Sequence, residues 1–249
     1  MQNNVVVITG GNRGIGLDIT ETFINAGYKV IVGARQDFNL EQRFGENLSF
    51  LKTDVRNEQA HQKLVEYAHS KYGGLNVFIN NAGFSEWMPI EEIENEFLDD
   101  IINTNIKGVF WGCKVAANTM LNGGSIINIS SLAGKRGSTN NSAYCATKFA
   151  VNGITQSLAK ELGPKGIRVN ALCPVLIKTD GLVEALKGIH SPAKGQPEEF
   201  IDNFSAANSA LGRLPTGHEV GKMCLSLASD NMSAITGQCI NVDCGVFPQ

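Results

Sequence analysis

Val5-Val6-Val7-Ile8-Thr9-Gly10-Gly11-Asn12-Arg13-Gly14-Ile15-Gly16 opens the chain with an apolar run, a glycine-rich turn and the start of a helical pattern. Val5 to Ile8 reads as a buried strand, and Leu17 to Asn25 as the body of a helix. That order builds a phosphate site. The glycines let the backbone turn tightly and approach a pyrophosphate closely. The helix behind them offers unpaired N–H groups and the positive end of its dipole. The turn is Thr-Gly-x-x-x-Gly-x-Gly, not the commoner Gly-x-Gly-x-x-Gly, and it lacks the Lys-Ser/Thr pair of a nucleoside triphosphate loop. A dinucleotide pocket is the first expectation, with Gly10, Asn12, Arg13, Gly14, Ile15 and Gly16 as its candidate residues.

Working outward, strands read at Asn4–Thr9, Lys29–Ala34, Leu48–Lys52, Leu75–Asn80, Ser125–Ser130, Ile167–Ala171 and Gln238–Val242. Helical patterns fill Gly16–Ala26, Asn57–Tyr72, Phe97–Met120, Ala143–Leu162 and Gly217–Ala228. Near-continuous apolar strands alternating with helices predict an α/β fold, a single-domain, doubly wound, parallel seven-stranded sheet of Rossmann type with helices on both faces. One domain spans residues 1–249, with the strands in the Rossmann order and a seventh added. Residues 175–214 interrupt the alternation and carry Pro192 and Pro197; so long a segment reads as a substrate-covering insertion.

Bulk properties exclude several classes. Apolar residues make up 43% of the chain and net charge is −3 with both signs interspersed, so a nucleic-acid footprint is not expected. The apolar runs are too short for a membrane span. Met1 leads through Gln2-Asn3-Asn4 into a core strand, which predicts no leader and a cytoplasmic protein. The six cysteines form no Cys-x-x-Cys pair and the four histidines are scattered, so no metal is expected.

The end of the second strand bears on the nucleotide. An NAD-binding unit places an acidic residue there for the ribose hydroxyls. Here Ala34 fills that place and Arg35 follows, with Asp37 as the acidic alternative. Arg13 and Arg35 can bracket a 2′-phosphate through charge-assisted forks. NADP(H) is therefore favoured over NAD(H). After the third strand, Asp54 can accept the adenine amino hydrogens and Val55 can frame the base. After the fourth, Asn80-Asn81-Ala82-Gly83 can tie strand ends together and leave room beside the nicotinamide ribose.

Ser131 follows the fifth strand, and Tyr144-Cys145-Ala146-Thr147-Lys148 comes thirteen positions later. Tyr144 and Lys148, at i and i+4, share a helical face. A free phenol titrates near about 10, and an adjacent ammonium lowers that value. Tyr144 then suits proton transfer to or from a carbonyl oxygen, Ser131 holds that oxygen, and Lys148 also reaches the ribose.

Thr9-Gly10-x-x-x-Gly14-Ile15-Gly16, Asp54, Asn80-Asn81-Ala82-Gly83, Asn105, Ser131 and Tyr144-x-x-x-Lys148 together make the chain resemble a classical short-chain dehydrogenase/reductase (SDR) along its whole length. The resemblance implies a catalytic tetrad of Asn105, Ser131, Tyr144 and Lys148. It picks Asn105, where spacing alone leaves Asn103 equally open, and gives it a helix kink and a water relay to the lysine. It also implies 4-pro-S hydride transfer, Pro174 and Thr179 beside the cofactor, and a homotetramer, or a dimer, built through the two long helices. Val175 replaces the family's glycine after Pro174, which predicts an altered loop path.

The expected activity is NADP(H)-dependent interconversion of a small-molecule carbonyl and a secondary alcohol, on a sugar, polyol or other small polar substrate. Ser131, Leu132, Ala133, Tyr144 and Val175 are the candidate substrate wall, with Ser85, Trp87, Leu176, Phe200 and Phe204 around it. One alternative is reduction of 3-oxoacyl groups on acyl carrier protein, against which Met120-Leu121-Asn122-Gly123-Gly124 offers no basic docking residue. An alternative of another class is a non-catalytic nucleotide-binding scaffold, against which the intact Tyr144–Lys148 pair argues.

Overall fold

Valine and isoleucine runs form the middle of the sheet. In the computed structural model, which describes residues 4–248, the strands are β1 (Val5–Thr9), β2 (Lys29–Ala34), β3 (Leu48–Lys52), β4 (Val77–Asn80), β5 (Gly124–Ile129), β6 (Ile167–Pro174) and β7 (Cys239–Val242). Met1-Gln2-Asn3, on which the expectation of no leader rested, lies outside the described residues. All pairings are parallel, in the order β3-β2-β1-β4-β5-β6-β7. The helices among the described residues are α1 (Gly14–Asn25), α2 (Leu40–Phe44), α3 (Glu58–Tyr72), α4 (Asn95–Ile102), α5 (Gly108–Thr119), α6 (Ser142–Leu162), α7 (Asp180–Leu186), α8 (Pro197–Asn208) and α9 (Gly217–Ala228).

Side chains alternate across a strand, so each strand feeds two cores. Val5, Val7, Ile31, Phe78 and Ile126 pack on one face against Leu64, Cys113 and Val151 of α3, α5 and α6. Val6, Ile8, Val32, Ile79 and Ile127 pack on the other against Ile19, Phe23, Val220 and Cys224 of α1 and α9. Where α1 meets α9, the His218 ring nitrogens lie 3.2 Å from both Asp18 and Glu21, so this histidine is less isolated than its position in the sequence suggests. Strand order reverses between β1 and β4, and the crevice at their carboxyl ends is where open sheets receive ligands.

The expected element boundaries shift in places for physical reasons. β6 runs on to Pro174 because β7 pairs with it as far as Val242. Val175 follows with ordinary backbone, outside the left-handed region, and its N–H donates to the Val242 carbonyl at 3.3 Å. The glycine that the resemblance expects is therefore not needed for this loop path. The stretch read as one helix over Phe97–Met120 is α4, a single π-helical turn at Asn103–Lys107, and α5. The excursion at 175–214 holds α7 and α8; Leu186 and Ile201 from these helices and Ala193 from the turn between them form a small core with Trp87, Phe200 and Leu214.

The core is tight where α5 crosses β4. A Cβ on Gly112 would sit 1.9 Å from Asn80 Oδ1 and 2.8 Å from the Phe78 ring. Asn80 cannot yield easily, because its Nδ2 donates to Asn128 Oδ1 at 2.9 Å inside the sheet. Gly112→Ala is therefore predicted to destabilise the protein by about 2 kcal/mol despite alanine's higher helix propensity. At this chain length that is a fall in Tm of roughly 4–8 °C. Thermal unfolding checks it, and an unchanged Tm contradicts the close approach.

Candidate active site

The glycine turn has the shape of an anion cradle. Gly10 and Gly14 adopt φ of +66° and +51°, and a Cβ on Gly16 would collide with the Gly10 carbonyl at 2.1 Å. Helix α1 starts with no side-chain cap and no acidic residue in its first turn. Asn57, Thr179 and Thr216 cap α3, α7 and α9 with their side chains, whereas α6 and α8, like α1, start without one. The uncapped amides of α1 are the donors a phosphate would need, so the turn fits a nucleotide.

The residues around the turn divide into bracing groups and exposed groups. Asn12 is buried and its Nδ2 donates to the Gln36 carbonyl at 2.8 Å, which braces the turn against the residue after Arg35. Asn81 donates from Nδ2 to the carbonyls of Thr9 and Gly10, locking the end of β4 to the turn. The Thr9 hydroxyl accepts from the N–H groups of Asn81 and Ala82. Thr179, above the turn, comes within 3.5 Å of the place where a Gly14 Cβ would be. A cavity of about 450 Å³ opens beside it, between Lys178, Asp180, Val183, Lys187 and Glu198. Arg13 and Arg35 are both exposed.

Two acidic side chains differ from their simplest reading. Asp37 accepts from the Leu40 N–H at 3.1 Å and so serves the start of α2. Asp54 lies in a fork from Arg56, whose Nε and Nη2 both donate to it, the shortest contact being 2.6 Å. Those bonds, with smaller help from Arg35, hold the Asp54 carboxyl below its usual range. Val55 beside it is buried, and His61 Nε2 donates to its carbonyl at 2.9 Å.

Ser131, Tyr144, Lys148, Asn105 and Gly83 converge at the ends of β4 and β5. Ser131 leaves β5 with extended backbone, and its Oγ accepts from the Ala133 N–H at 3.1 Å, which fixes the following turn through Leu132. Asn105 sits in the π turn. It accepts from the Phe84 N–H, and its Nδ2 donates to the Phe84 carbonyl and to Thr147 Oγ1. Thr147 in turn donates to the Tyr144 carbonyl at 2.8 Å. A Cβ on Gly83 would lie 3.0 Å from Asn105 Oδ1 and 3.8 Å from Lys148 Nζ, so only glycine leaves this junction open. Sequence reasoning does not single out Thr147, whose role needs α6 packed on the π turn. It also misses the Ile129 carbonyl, which accepts from Lys148 Nζ at 2.8 Å, because a backbone acceptor leaves no residue signal.

The electrostatics correct one expectation. Tyr144 keeps an accessible edge but is closely surrounded, and burial pushes its phenol up to about 12, against a smaller pull from the Ser131 hydroxyl. The expected lowering by Lys148 is absent. The ammonium faces the Ile129 carbonyl and lies 5.5 Å from the centre of the Tyr144 ring. Lys148 is 6% exposed, and burial brings its pKa down to about 8.

Comparison with known proteins accords with this geometry. A family model described as Enoyl-(Acyl carrier protein) reductase matches residues 10–247. The chain is 34% identical to diacetyl reductase ((S)-acetoin forming) of Staphylococcus aureus over 98% of both chains. It is 33% identical to the 3-oxoacyl-(acyl-carrier-protein) reductase FabG of Chlamydia trachomatis, over 98% of this chain and 97% of that protein. A crystal structure of an actinorhodin polyketide ketoreductase variant with NADPH superposes with a TM-score of 0.89 at 30% identity, covering 98% of this chain and 97% of that one. The doubly wound sheet, the uncapped glycine turn and this full-length likeness place the chain in the classical short-chain dehydrogenase/reductase family, oxidoreductases that act on secondary alcohols and ketones.

Proposed function

We propose that this protein reduces a small polar ketone to a secondary alcohol, reversibly and with NADP(H), through Asn105, Ser131, Tyr144 and Lys148. The observation that carries the reading is the convergence of those four side chains beside a glycine turn whose helix amides lack a cap. A nicotinamide nucleotide, when bound, supplies or takes the hydride. The Ser131 hydroxyl donates to the substrate carbonyl oxygen and Tyr144 Oη delivers the proton to it. With its pKa raised by burial, Tyr144 is protonated at neutral pH, so the resting site is set for reduction. Oxidation of an alcohol needs the phenolate. Lys148 favours that form when its ammonium leaves the Ile129 carbonyl and turns toward Tyr144 and the ribose hydroxyls. Asn105, fixed by Phe84 and Thr147, holds the water that relays the proton outward.

The exposed Arg13 and Arg35 support NADP(H), as does the place of Asp37, three residues beyond β2, where its Oδ1 accepts from the Leu40 N–H. The NADPH-bound ketoreductase supports it as well. The diacetyl reductase relative supports a small ketone. FabG, nearly as similar, keeps 3-oxoacyl thioesters as the second substrate class to assay. Leu98, Phe110 and Phe149 stand exposed on α4, α5 and α6, which supports pairing of two copies within a homotetramer.

Arg35→Asp is predicted to weaken NADPH binding by about 2 kcal/mol, or some thirtyfold, while NADH binding changes little. Fluorescence titration with both nucleotides checks this, and equal or tighter NADH binding by the unaltered protein contradicts it. Tyr144→Phe keeps the ring and removes the proton; diacetyl reduction should fall by at least about 10²-fold with nucleotide affinity nearly intact.

Lys148→Met should also abolish turnover, yet stabilise the ligand-free protein at neutral pH by on the order of 2 kcal/mol, since a buried cation is replaced by an apolar side chain. The sign follows from linkage. The folded pKa, about 8, lies below the unfolded 10.5, so between these values the unfolded chain binds more protons and stability rises with pH. The advantage of Lys148→Met over the unaltered protein therefore shrinks across that window. Denaturant unfolding at several pH values reads it out; a gap independent of pH contradicts the burial penalty.

A further inference from the structure

The Tyr-x-x-x-Lys spacing occurs twice in this chain. Tyr67-Ala68-His69-Ser70-Lys71 ends α3, beside Ser49 near the start of β3 and at the opposite end of the sheet from Tyr144. Here the lysine does what Lys148 does not. Lys71 Nζ donates to Tyr67 Oη at 3.0 Å and to Ser49 Oγ at 2.8 Å. The Ser49 hydroxyl also lies 3.0 Å from Tyr72 Oη. The ammonium sits 5.3 Å and 5.4 Å from the centres of the Tyr67 and Tyr72 rings, within cation–π range of both. The ring bodies pack on the core while the Lys71 end of the cluster reaches solvent. The cation is thus held by two hydroxyls, one of them the phenol oxygen of a half-buried Tyr67.

We propose that Tyr67 is a nucleophilic phenol, a modification site that takes activated acyl-type electrophiles, acyl or sulfonyl. Lys71's hydrogen bond, then that of Ser49, holds the Tyr67 phenol below its ordinary pKa, with Glu41 the acidic group opposing them. The hydrogen bond to Tyr67, with help from Tyr72, raises the pKa of Lys71, so the amine stays protonated and is not the nucleophile. With an arylsulfonyl fluoride the step balances simply. The phenol oxygen attacks sulfur, the S–O bond forms, the S–F bond breaks, fluoride leaves and the phenol proton passes to buffer, with no change of oxidation state. Lys71 also stabilises negative charge that develops at the attacked group.

The test is limited labelling of the full-length protein with an arylsulfonyl fluoride at neutral pH, mapped by peptide mass spectrometry. Of the four tyrosines, Tyr67 should react ahead of Tyr28, Tyr72 and Tyr144. Burial raises the phenols of Tyr28 and Tyr144. Lys71→Met should slow labelling of Tyr67 by about tenfold, while Lys71→Arg, which keeps the cation, should retain most of the rate. Urea-unfolded protein should lose the preference. Tyr67→Phe should leave diacetyl reduction unchanged, so a failure of the proposed reductase activity is read separately from a failure here. Labelling of Tyr67 no faster than of the other three, or at the same rate in Lys71→Met, overturns the proposal.

Discussion

An ammonium group inside a protein is costly unless something holds it, and Lys148 is held by one backbone oxygen, that of Ile129 at 2.8 Å. The surrounding architecture makes that possible. Ile129 ends β5 at the carboxyl edge of the sheet, α6 carries Lys148 back across it, and Gly83 leaves the space into which Nζ projects. The π turn keeps the Asn105 amide at the same junction, where regular helix would move its backbone out of register with Phe84 and Thr147. Burial of this cation works against stability, offset in part by the Ile129 carbonyl, and such perturbed groups cluster at sites built for binding or catalysis.

The two Tyr-x-x-x-Lys pairs show how little a spacing decides by itself. In both, phenol and amine share a helical face. In the α3 pair the ammonium meets the phenol at 3.0 Å, and the phenol ionises more readily than usual. In the α6 pair the ammonium is drawn to a strand carbonyl, and burial of the phenol is opposed only in part, by the Ser131 hydroxyl. The difference lies in the neighbouring strand. β3 offers Ser49, a hydroxyl beside the phenol, whereas β5 offers a carbonyl on the far side of the lysine. In the proposed reductase the second arrangement keeps Tyr144 protonated until a ligand gives Lys148 other partners.

Much of this was legible in the sequence where the signal is local. The runs Val5–Thr9 and Lys29–Ala34 read as buried strands, and the glycines at Gly10, Gly14 and Gly16 read as a turn leading into a helix. What escaped depends on tertiary contacts. The resemblance implies a kink at Asn105, but no proline or glycine at that residue announces it; its physical cause is the hydrogen bonds to Phe84, twenty-one residues earlier. The fork that engages Asp54 joins residues two apart, but nothing in Asp54-Val55-Arg56 says the side chains will fold onto each other rather than into solvent. The direction of the Tyr144 shift was misjudged because helix spacing fixes which side chains share a face, not which acceptor an ammonium chooses.

The central claim is that the Lys148 ammonium does not bond the Tyr144 phenol oxygen at rest and does so when a nucleotide occupies the glycine turn. The most direct measurement is the ionisation of Tyr144 itself, followed by NMR on protein carrying tyrosine labelled with carbon-13 at the phenolic carbon, with and without NADP+. The account predicts a Tyr144 pKa near 12 in the ligand-free protein. With NADP+ present it should fall to about 9 or lower. A Tyr144 that titrates at the same pH in both samples would contradict the account.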